Sequence, residues 1–404
     1  MSTSSSIPTR TIAKRLIAAM LICMLALVGC ARGPVGTTPS TDHSSTEAAW
    51  SPAAGQLTRL DEDGYFYYLN YDKDYYSDEV MQKLEASGAM RPACSAFSTF
   101  TLEGEHLCCH NYDMMHRVSK EDRTPTGLNV VLHCAPQGKY ESIAVGDAFY
   151  CDTNNPLIAR GGPDMDGFEA SMVDTIPYEC LDGVNEMGLA ACILRVDIKE
   201  GEQPSNMIAG SSIMLRYLLD NCANVDEAIA FVNTSDLKPG DWQDCHIFVT
   251  DATGRSTVLE SRNGEVKGVD TDVVTNFYVG YDDIADSYRN GKLRELAVKL
   301  VDEDGEQRYH FGYGHGYHRF VSLASQLEMR RNTDSDEYCT RMTESEALVM
   351  LQGVVQNEHT VAAGTSYTQF STIYNNATRT LTVWSFQDWK TPYVFNAHGE
   401  RSEQ

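Results

Sequence analysis

The chain has 404 residues, a formal net charge of -25 at pH 7, 42% hydrophobic residues and 22% charged residues. This composition is ordinary for a globular protein and allows one or two domains with a large core. The strong negative charge argues against a nucleic-acid partner, which would require a basic surface.

The N-terminus has the features of an export signal. Basic residues at positions 10–15 precede an apolar run at residues 16–28 that is too short to cross a bilayer comfortably. The tetrad at residues 27–30 resembles a bacterial lipobox, in which the Cys becomes the lipidated first residue after cleavage. We predict that residues 1–29 are a lipoprotein signal peptide and that Cys30 anchors the exported protein to the outer face of the bacterial cell membrane. A plain secretory signal with a chance Cys is the alternative.

The next segment reads as a tether and a pro-segment at residues 30–93. Residues 31–54 are rich in Ser, Thr, Pro and Gly and have no apolar period, which is typical of a flexible tether. We expect the tyrosine-rich run at residues 65–76 to pack on the main domain, because exposed tyrosine clusters are costly to leave uncovered. A ligand-binding surface is the alternative. Ser77 is the predicted N-cap of a short helix at residues 78–87.

A β-hairpin is predicted where the main domain begins. Small, aromatic and β-branched residues at 93–102 form the first arm, and the second arm at 106–113 is apolar before it ends in polar groups. If the turn centres on Gly104, the numbers of facing residues sum to about 208. Asp113 then lies close to the backbone of Cys94, although nineteen positions separate them (113 minus 94).

Strand and helix signals alternate through the rest of the chain. The first predicted elements are strands at 140–150 and 188–196 and helices at 211–222 and 224–233. A meander of strands is predicted at 246–250, 256–261 and 265–269, and residues 273–277 are predicted to continue it. A helix is predicted from a capping box of Thr343 and Glu346 to about residue 352, followed by a hairpin of 368–374 with 379–386. Hairpin strands with separate helix pairs indicate an α+β sandwich in one domain at residues 94–404.

The twelve cysteines would normally indicate a disulfide framework in an exported protein. Their spacing is irregular, and no CxxC metal motif occurs, so we expect no metal and no cofactor. Several cysteines are predicted to be buried small hydrophobic residues, namely Cys151, Cys192, Cys222, Cys245 and Cys339.

The first hairpin resembles the opening of the choloylglycine hydrolase and penicillin V acylase family. These proteins are N-terminal nucleophile (Ntn) hydrolases that cleave linear amides. In the family a Cys begins the mature chain, and a Gly-Arg-Asn-x-Asp tract places an Arg sixteen residues later and an Asp nineteen residues later. The corresponding tract here is Cys109-His110-Asn111-Tyr112-Asp113, with the same offsets from Cys94 (110 minus 94 is 16, and 113 minus 94 is 19).

Further motifs of that family follow in the same order. They are Asp-Gly-Val-Asn-Glu-Met-Gly-Leu at 182–189, the Asp-x-x-Gly-x-Ser hairpin within 246–260, Val-Thr-Asn at 274–276, His-Arg-Phe at 318–320 and a late strand at 365–374. Several ordered motifs are harder to produce by chance than one. The resemblance implies a four-layer αββα sandwich of antiparallel sheets, a small-molecule N-acyl amide substrate, no cofactor and, as in many family members, a homo-oligomer.

The resemblance also implies site residues whose chemistry can be argued directly. Cys94 would be the nucleophile, and its α-amine, with a pKa near ~8, would serve as the base. A free amine requires cleavage of the bond between Ala93 and Cys94, because an amide nitrogen is not basic. Asp113 would hold the amine, Asn276 would stabilise the oxyanion, and Arg319 would stabilise the nucleophile and the nearby carboxylate.

Two positions depart from the family pattern. His110 replaces the Arg of the tract, so a permanent charge becomes a titratable one, and we expect activity to depend more steeply on pH. A neutral imidazole hydrogen-bonded within the sheet is the alternative for His110. Arg195 stands where bile salt hydrolases carry Asn and penicillin acylases carry Tyr, and it could stabilise an oxyanion or bind a substrate carboxylate.

The leading hypothesis is an exported, autoprocessed cysteine hydrolase that cleaves the amide bond of an N-acyl compound through a Cys94 thioester. Penicillin V, bile salts and N-acyl amino acids are the substrate types that the resemblance suggests. One alternative is an acyltransferase of the acyl-CoA:6-aminopenicillanate type. Others are an unprocessed binding lipoprotein on an inactive Ntn scaffold and a disulfide-built adhesin.

Overall fold

The computed structural model describes residues 50–62, 64–77, 94–114, 128–148, 170–196, 210–291, 316–331, 340–356 and 367–402. The predicted signal peptide with Cys30, the helix at 78–87, Ala93, Cys151 and Cys339 lie outside these residues. The described residues belong to one compact unit, residues 50–404.

Two sheets of mainly antiparallel strands form the centre of this unit. The nine-stranded sheet has the order β1-β2-β5-β6-β7-β8-β9-β10-β11, from strands β1 Leu57–Arg59, β2 Phe66–Tyr71, β5 Asn129–Cys134, β6 Ser142–Asp147, β7 Cys180–Asn185, β8 Ala190–Arg195, β9 Cys245–Thr250, β10 Ser256–Arg262 and β11 Glu265–Asp270. The seven-stranded sheet has the order β12-β3-β4-β13-β14-β15-β16, from β12 Val273–Val274, β3 Ser95–Phe100, β4 His106–Met114, β13 Tyr367–Asn375, β14 Thr380–Ser385, β15 Tyr393–Asn396 and β16 Arg401–Ser402.

Helices cover the outer faces of the two sheets. The described helices are α1 Gly210–Asn221, α2 Val225–Thr234, α3 Asp283–Arg289, α4 Gly316–Arg330 and α5 Glu344–Gln352, with 3₁₀ segments at Ala170–Glu179, Pro239–Asp241 and Val279–Tyr281. Helices α1 and α2 pack on the nine-stranded sheet, α4 and α5 pack on the seven-stranded sheet, and the two sheets face each other through strands such as β4 and β8. The predicted α+β fold with αββα layers is therefore confirmed.

Local signals predicted most of the observed elements. The predicted N-cap Asn224 accepts a hydrogen bond from the Glu227 N–H, and Thr343 and Glu346 form the expected reciprocal capping box. The β10 and β11 hairpin turns at Asn263 and Gly264, whose φ angles of 53° and 83° are the positive values that such a turn requires.

The opening hairpin forms with a slightly different register from the predicted one. Phe97 pairs with Cys109 across β3 and β4, so facing residue numbers sum to 206 (97 plus 109) rather than about 208. The Gly104 N–H donates to the Thr101 carbonyl, and this hydrogen bond closes the turn over residues 101–104. Continuing this register places Cys94 opposite Tyr112, one residue before Asp113.

The prediction that residues 273–277 continue the meander is wrong. Strand β12 leaves the nine-stranded sheet and pairs instead with β3 of the other sheet, Val273 with Phe97 and Val274 with Ala96. Both β12 residues are buried, and pairing at the free edge of β3 satisfies their backbone groups. This crossing brings Asn276 to the strand end where Cys94 lies.

The tyrosine-rich run packs on the main domain, as predicted. Strand β2 pairs in parallel with β5 over six residue pairs, and Tyr68, Tyr71 and Tyr75 are buried. The Tyr75 hydroxyl donates to Asp220 Oδ2 on α1 at 2.8 Å. Residues that precede Cys94 in the chain are therefore part of the same sheet as residues that follow it.

The described cysteines are free thiols, and Cys192, Cys222 and Cys245 are buried as predicted. Within the ranges given above, no cluster of three His, Cys, Asp or Glu side chains has the arrangement of a metal site. The same part of the chain contains no helix with the length and hydropathy needed to cross a membrane.

Candidate active site

Cys94 immediately precedes β3, and its side chain has no solvent exposure. The backbone N–H of Asp113 donates a hydrogen bond to the Cys94 sulfur. Burial raises the pKa of the thiol well above its usual value, and the Asp113 charge adds to this effect, whereas the N–H bond and Arg319 oppose it. The thiol therefore requires a base before it can act as a nucleophile.

Asp113 lies near the end of β4 in a fully buried position with three side-chain partners. Thr368 Oγ1 donates to Asp113 Oδ1 at 2.5 Å, and Gln356 Nε2 donates to Oδ2 at 3.0 Å. Arg319 Nη1 lies 3.2 Å from the same Oδ2. Burial raises the pKa of Asp113 to about 6, although Arg319 and the two hydrogen bonds act in the opposite direction.

Arg319 on α4 connects the groups of the site. Its Nη1 donates to the Cys94 carbonyl oxygen at 2.7 Å as well as to Asp113, and its Nη2 donates to Asn276 Oδ1 at 2.5 Å. The guanidinium is planar and presents several donors in fixed directions, so one side chain can hold three partners. Because Arg319 is only 5% exposed, these contacts form in a low-dielectric environment.

Asn276 follows β12, and the surrounding contacts fix its amide. Arg319 donates to its Oδ1, while its Nδ2 donates to the Arg195 carbonyl oxygen at 2.9 Å. The preceding residue is held from both sides, because Thr275 Oγ1 donates to the Gly316 carbonyl at 2.8 Å and His246 Nε2 lies 2.8 Å from the Thr275 carbonyl. An amide nitrogen carries two hydrogens, so Asn276 Nδ2 retains one donor for a substrate oxygen.

Arg195 reaches this site through its backbone. Its carbonyl oxygen, at the end of β8, accepts the bond from Asn276, while its half-buried guanidinium is close enough to Cys245 to affect the pKa of that thiol. The structure therefore supports a positioning role for the Arg195 main chain.

His110 belongs to a second buried group between the two sheets. Its Nδ1 lies 2.8 Å from Asp182 Oδ2 on β7, and neither side chain is exposed. Asp182 also accepts hydrogen bonds from Thr372 Oγ1 at 2.6 Å and from the Tyr374 hydroxyl at 2.7 Å. His110 is thus hydrogen-bonded in the interior, and its partner is a carboxylate on the other sheet.

The structure brings together Cys94, Asp113, Asn276 and Arg319, four residues that the family resemblance assigned to one site. Sequence reasoning missed Asp182, Gln356 and Thr368. Asp182 begins the Asp-Gly-Val-Asn motif and Thr368 lies in the late strand at 365–374, so both belong to family motifs to which the sequence assigns no role. Gln356 follows α5 in an irregular segment and has no local signal that would indicate a role.

Comparisons with known proteins give one sequence match and several structural similarities. The sequence profile of the family described as acyl-coenzyme A:6-aminopenicillanic acid acyl-transferase matches residues 140–284. That segment includes Asp182 and Asn276, whereas Cys94 and Arg319 lie outside it. The match agrees with the resemblance drawn from the sequence motifs, because this is the acyltransferase type named there as an alternative to a hydrolase. A search of curated proteins gave no significant match.

Two solved structures illustrate the structural similarity. A mutant of the conjugated bile acid hydrolase from Clostridium perfringens is 14% identical, with 77% of this chain and 97% of that chain covered and a TM-score of 0.47. Penicillin V acylase from Agrobacterium tumefaciens is 17% identical, with 75% of this chain and 85% of that chain covered and a TM-score of 0.42. Similarity at this level does not assign a substrate.

Proposed function

We propose that the protein is an exported N-terminal nucleophile hydrolase that cleaves a linear amide bond of a small N-acyl compound. The observation that carries the proposal is the convergence of a buried thiol, a carboxylate, an amide and a guanidinium from four separate elements, namely Cys94, Asp113, Asn276 and Arg319. This set contains a nucleophile, a group that can hold its base and a donor for the oxyanion.

The proposed reaction begins after cleavage between Ala93 and Cys94. The free α-amine of Cys94 takes the thiol proton, and the sulfur attacks the amide carbon of the substrate. Asn276 Nδ2 donates to the oxygen that becomes negatively charged, an effect of roughly 3 kcal/mol in comparable sites. The leaving amine takes the proton, and water then hydrolyses the thioester.

Asp113 and Arg319 prepare the site for this sequence. The Asp113 carboxylate lies at the strand end next to Cys94 and would hold the ammonium form of the new N-terminus by a charge-assisted hydrogen bond. Arg319 binds the Cys94 carbonyl and Asp113 together, so the main chain of the nucleophile and the carboxylate keep a constant relative position.

An acyltransferase is the second candidate, because the matching sequence profile is that of an acyltransferase family. The two activities share the Cys94 thioester and differ in the group that captures it, an amine for transfer and water for hydrolysis. Assays with penicillin V, a conjugated bile salt and an N-acyl amino acid, with and without an added acceptor amine, separate them. Amide formation in the presence of the amine would favour transfer.

Export and anchoring through Cys30 remain part of the proposal, supported by the signal-like N-terminus. The primary test is the intact mass and the N-terminal sequence of the purified protein. We expect a large chain that begins at Cys94 and turns over at least one of the amides above. A protein that keeps residues 31–93 covalently attached under all conditions, and shows no amidase activity, would instead be a binding lipoprotein on an inactive scaffold.

The free form of the α-amine base, with a pKa near ~8, decreases tenfold per pH unit as the pH falls. Below pH 6 protonated Asp113 also no longer holds the α-ammonium as an anion, so we expect activity to fall more steeply than tenfold per pH unit there. The pKa of Asp113 in the folded chain lies above its ordinary value of 3.8, so its protonation favours folding. Its contribution to stability therefore increases as the pH falls from 6 towards 4, and unfolding does not explain the loss.

The measurement is kcat/KM between pH 4.5 and 8, together with the melting temperature at each pH. Asp113→Asn should reduce kcat/KM on the order of a hundredfold and remove the additional steepness below pH 6, leaving the tenfold slope of the α-amine. Asp226→Asn is the matched control, because the Asp226 side chain is 85% exposed and lies on the surface helix α2. A slope that stays at tenfold per pH unit below pH 6 would rule out this role for Asp113.

A further inference from the structure

His110 has a basic ring nitrogen that the proposed turnover does not use. Asp182 accepts hydrogen bonds from Thr372 and Tyr374 and holds the Nδ1 side of the ring. A carboxylate only accepts hydrogen bonds, so Nδ1 carries the hydrogen and the Nε2 of the neutral ring presents a lone pair. His110 Nε2 is buried and has no hydrogen-bond partner among the described residues. Such an orphaned group in an interior requires an explanation.

The register of the first hairpin places His110 and Cys94 on the same face. Ala96 pairs with His110, and side chains alternate along a strand, so Cys94 and Ala96 both face the space between the sheets. Cys94 and His110 are then diagonal neighbours on adjacent strands, positions that lie about 7–8 Å apart in an antiparallel pair. The imidazole also acts electrostatically on Asp113, which flanks Cys94 on the other side.

Self-cleavage before Cys94 needs a base that turnover does not need. In the uncut chain the nitrogen of Cys94 belongs to a peptide bond and is not basic. Burial raises the pKa of the thiol, so spontaneous ionisation is disfavoured. The Asp113 carboxylate already accepts from Thr368 and Gln356 and contacts Arg319. His110 Nε2 is a basic nitrogen without a hydrogen-bond partner among the described residues, on the strand that pairs with the one Cys94 precedes.

We propose that His110, oriented by Asp182, is the base that activates Cys94 for cleavage of its own peptide bond with Ala93. This inference rests on the proposed function. His110 Nε2 takes the proton from Sγ, and the sulfur attacks the Ala93 carbonyl carbon. The C–N bond breaks as a C–S bond forms, and the nitrogen takes the proton from the imidazolium. Water then hydrolyses the thioester, which leaves a carboxylate on residue 93 and a free amine on Cys94.

The arrangement follows the logic of a nucleophile, a base and a group that orients the base. Once cleavage has occurred, the new α-amine lies on the same residue as the thiol and takes over as base. Cleavage and turnover therefore depend on His110 to different extents, which makes the inference separable from the proposed function.

The test follows cleavage of the full chain during cell-free synthesis by the time course of the band that begins at Cys94. We expect His110→Asn to slow this step by 10²- to 10⁴-fold, the usual range for loss of a general base. Asp182→Asn should also slow it, because the amide lacks the negative charge that fixes the ring tautomer and stabilises the imidazolium. A two-chain protein that needs no cleavage is obtained by co-expressing residues 31–93 with a chain that begins at Cys94. In each variant the cleavage rate should fall by a factor at least ten times larger than the factor by which kcat/KM falls in the two-chain protein.

His106→Asn is the matched control, because His106 is a buried histidine on the same strand and face, four residues away (110 minus 106). Its ring is already satisfied by the Asp251 carbonyl at 2.9 Å and by Ser256 Oγ at 3.2 Å. This variant is expected to cleave within threefold of the wild-type rate.

The pH dependence of cleavage adds a readout that a purely structural role would not change. The cleavage rates of the wild type and of His110→Asn should therefore differ in the form of their dependence on pH, because only the wild type has an imidazole base at this position. The groups around the His110 and Asp182 pair that could also titrate are Asp113 and Cys108 on β4, Cys192 on β8, Tyr374 on β13 and Cys94 itself.

His110→Arg places a cation opposite the Asp182 carboxylate and restores the residue of the family tract, so a folded protein is expected. Arginine cannot accept a proton, and cleavage should be as slow as in His110→Asn. Wild-type cleavage rates in His110→Arg, or in a folded His110→Asn, would overturn the inference. A wild-type chain that is never cut before Cys94 would instead contradict the proposed function.

Discussion

Replacing Cys94 by Ser is expected to leave the purified protein as one uncut chain without measurable amidase activity. A hydroxyl is a far weaker acid than a thiol, and burial already disfavours the charged form of the nucleophile at this position. Loss of the nucleophile should reduce kcat by on the order of 10³-fold or more. The same change should block cleavage before residue 94, because that step uses the same sulfur.

Intact mass and amidase assays on Cys94→Ser and Cys109→Ala distinguish this prediction from a general effect of cysteine loss. Cys109 is a fully buried thiol on β4 of the same hairpin and has no place in the proposed reaction. We expect Cys109→Ala to cleave and to turn over within a few-fold of wild type. Wild-type amidase activity in Cys94→Ser would reject Cys94 as the nucleophile.

Cleavage before Cys94 is expected to leave the released segment bound to the main chain. Strand β2 is an interior strand, because it pairs with β1 on one side and with β5 on the other. Its Tyr68 ring is buried, stacks on Phe395 at 5.4 Å between centroids, and donates from its hydroxyl to the Gly399 carbonyl at 3.0 Å. Each fully buried side chain of this size contributes about 1.5–3 kcal/mol, so several of them hold the segment firmly.

The second anchor of this segment is a buried ionic group on α1. Tyr75 and Tyr76 both donate to Asp220 Oδ2, at 2.8 and 2.6 Å, and Arg216 Nη2 lies 2.7 Å from Asp220 Oδ1. Release of the segment would leave this buried carboxylate without two donors, which is costly in a low-dielectric interior. If Cys30 is lipidated, the retained segment would tether the mature enzyme to the membrane.

Size-exclusion chromatography of the cleaved protein in increasing urea, followed by denaturing electrophoresis, measures retention. Both pieces should elute together without urea, and Tyr68→Ala should lower the urea concentration that separates them, because truncating a buried aromatic side chain costs about 3–5 kcal/mol. Lys73→Ala is the control, since the Lys73 side chain is 60% exposed. Separation of the wild-type pieces in buffer alone would contradict this account.

The sequence by itself was enough to predict most of the local elements and to name the residues of the candidate site. Turn residues such as Gly104 and Asn263, the caps at Asn224 and Thr343, and alternating apolar residues act within a few positions of the chain. The proximity of Cys94 and Asp113 also follows from local sequence, because two antiparallel arms joined by a short turn can pair in only a few registers.

Only the tertiary structure decided which distant elements meet. Strand β12 crosses to the other sheet and carries Asn276 to Cys94, and β2 joins the nine-stranded sheet. His110 receives its carboxylate from β7 of the opposite sheet rather than from its own hairpin. Such pairings depend on which edges and apolar faces remain uncovered after all other elements have packed. No local pattern contains that information, whereas the residues that carry the chemistry are readable from their own short motifs.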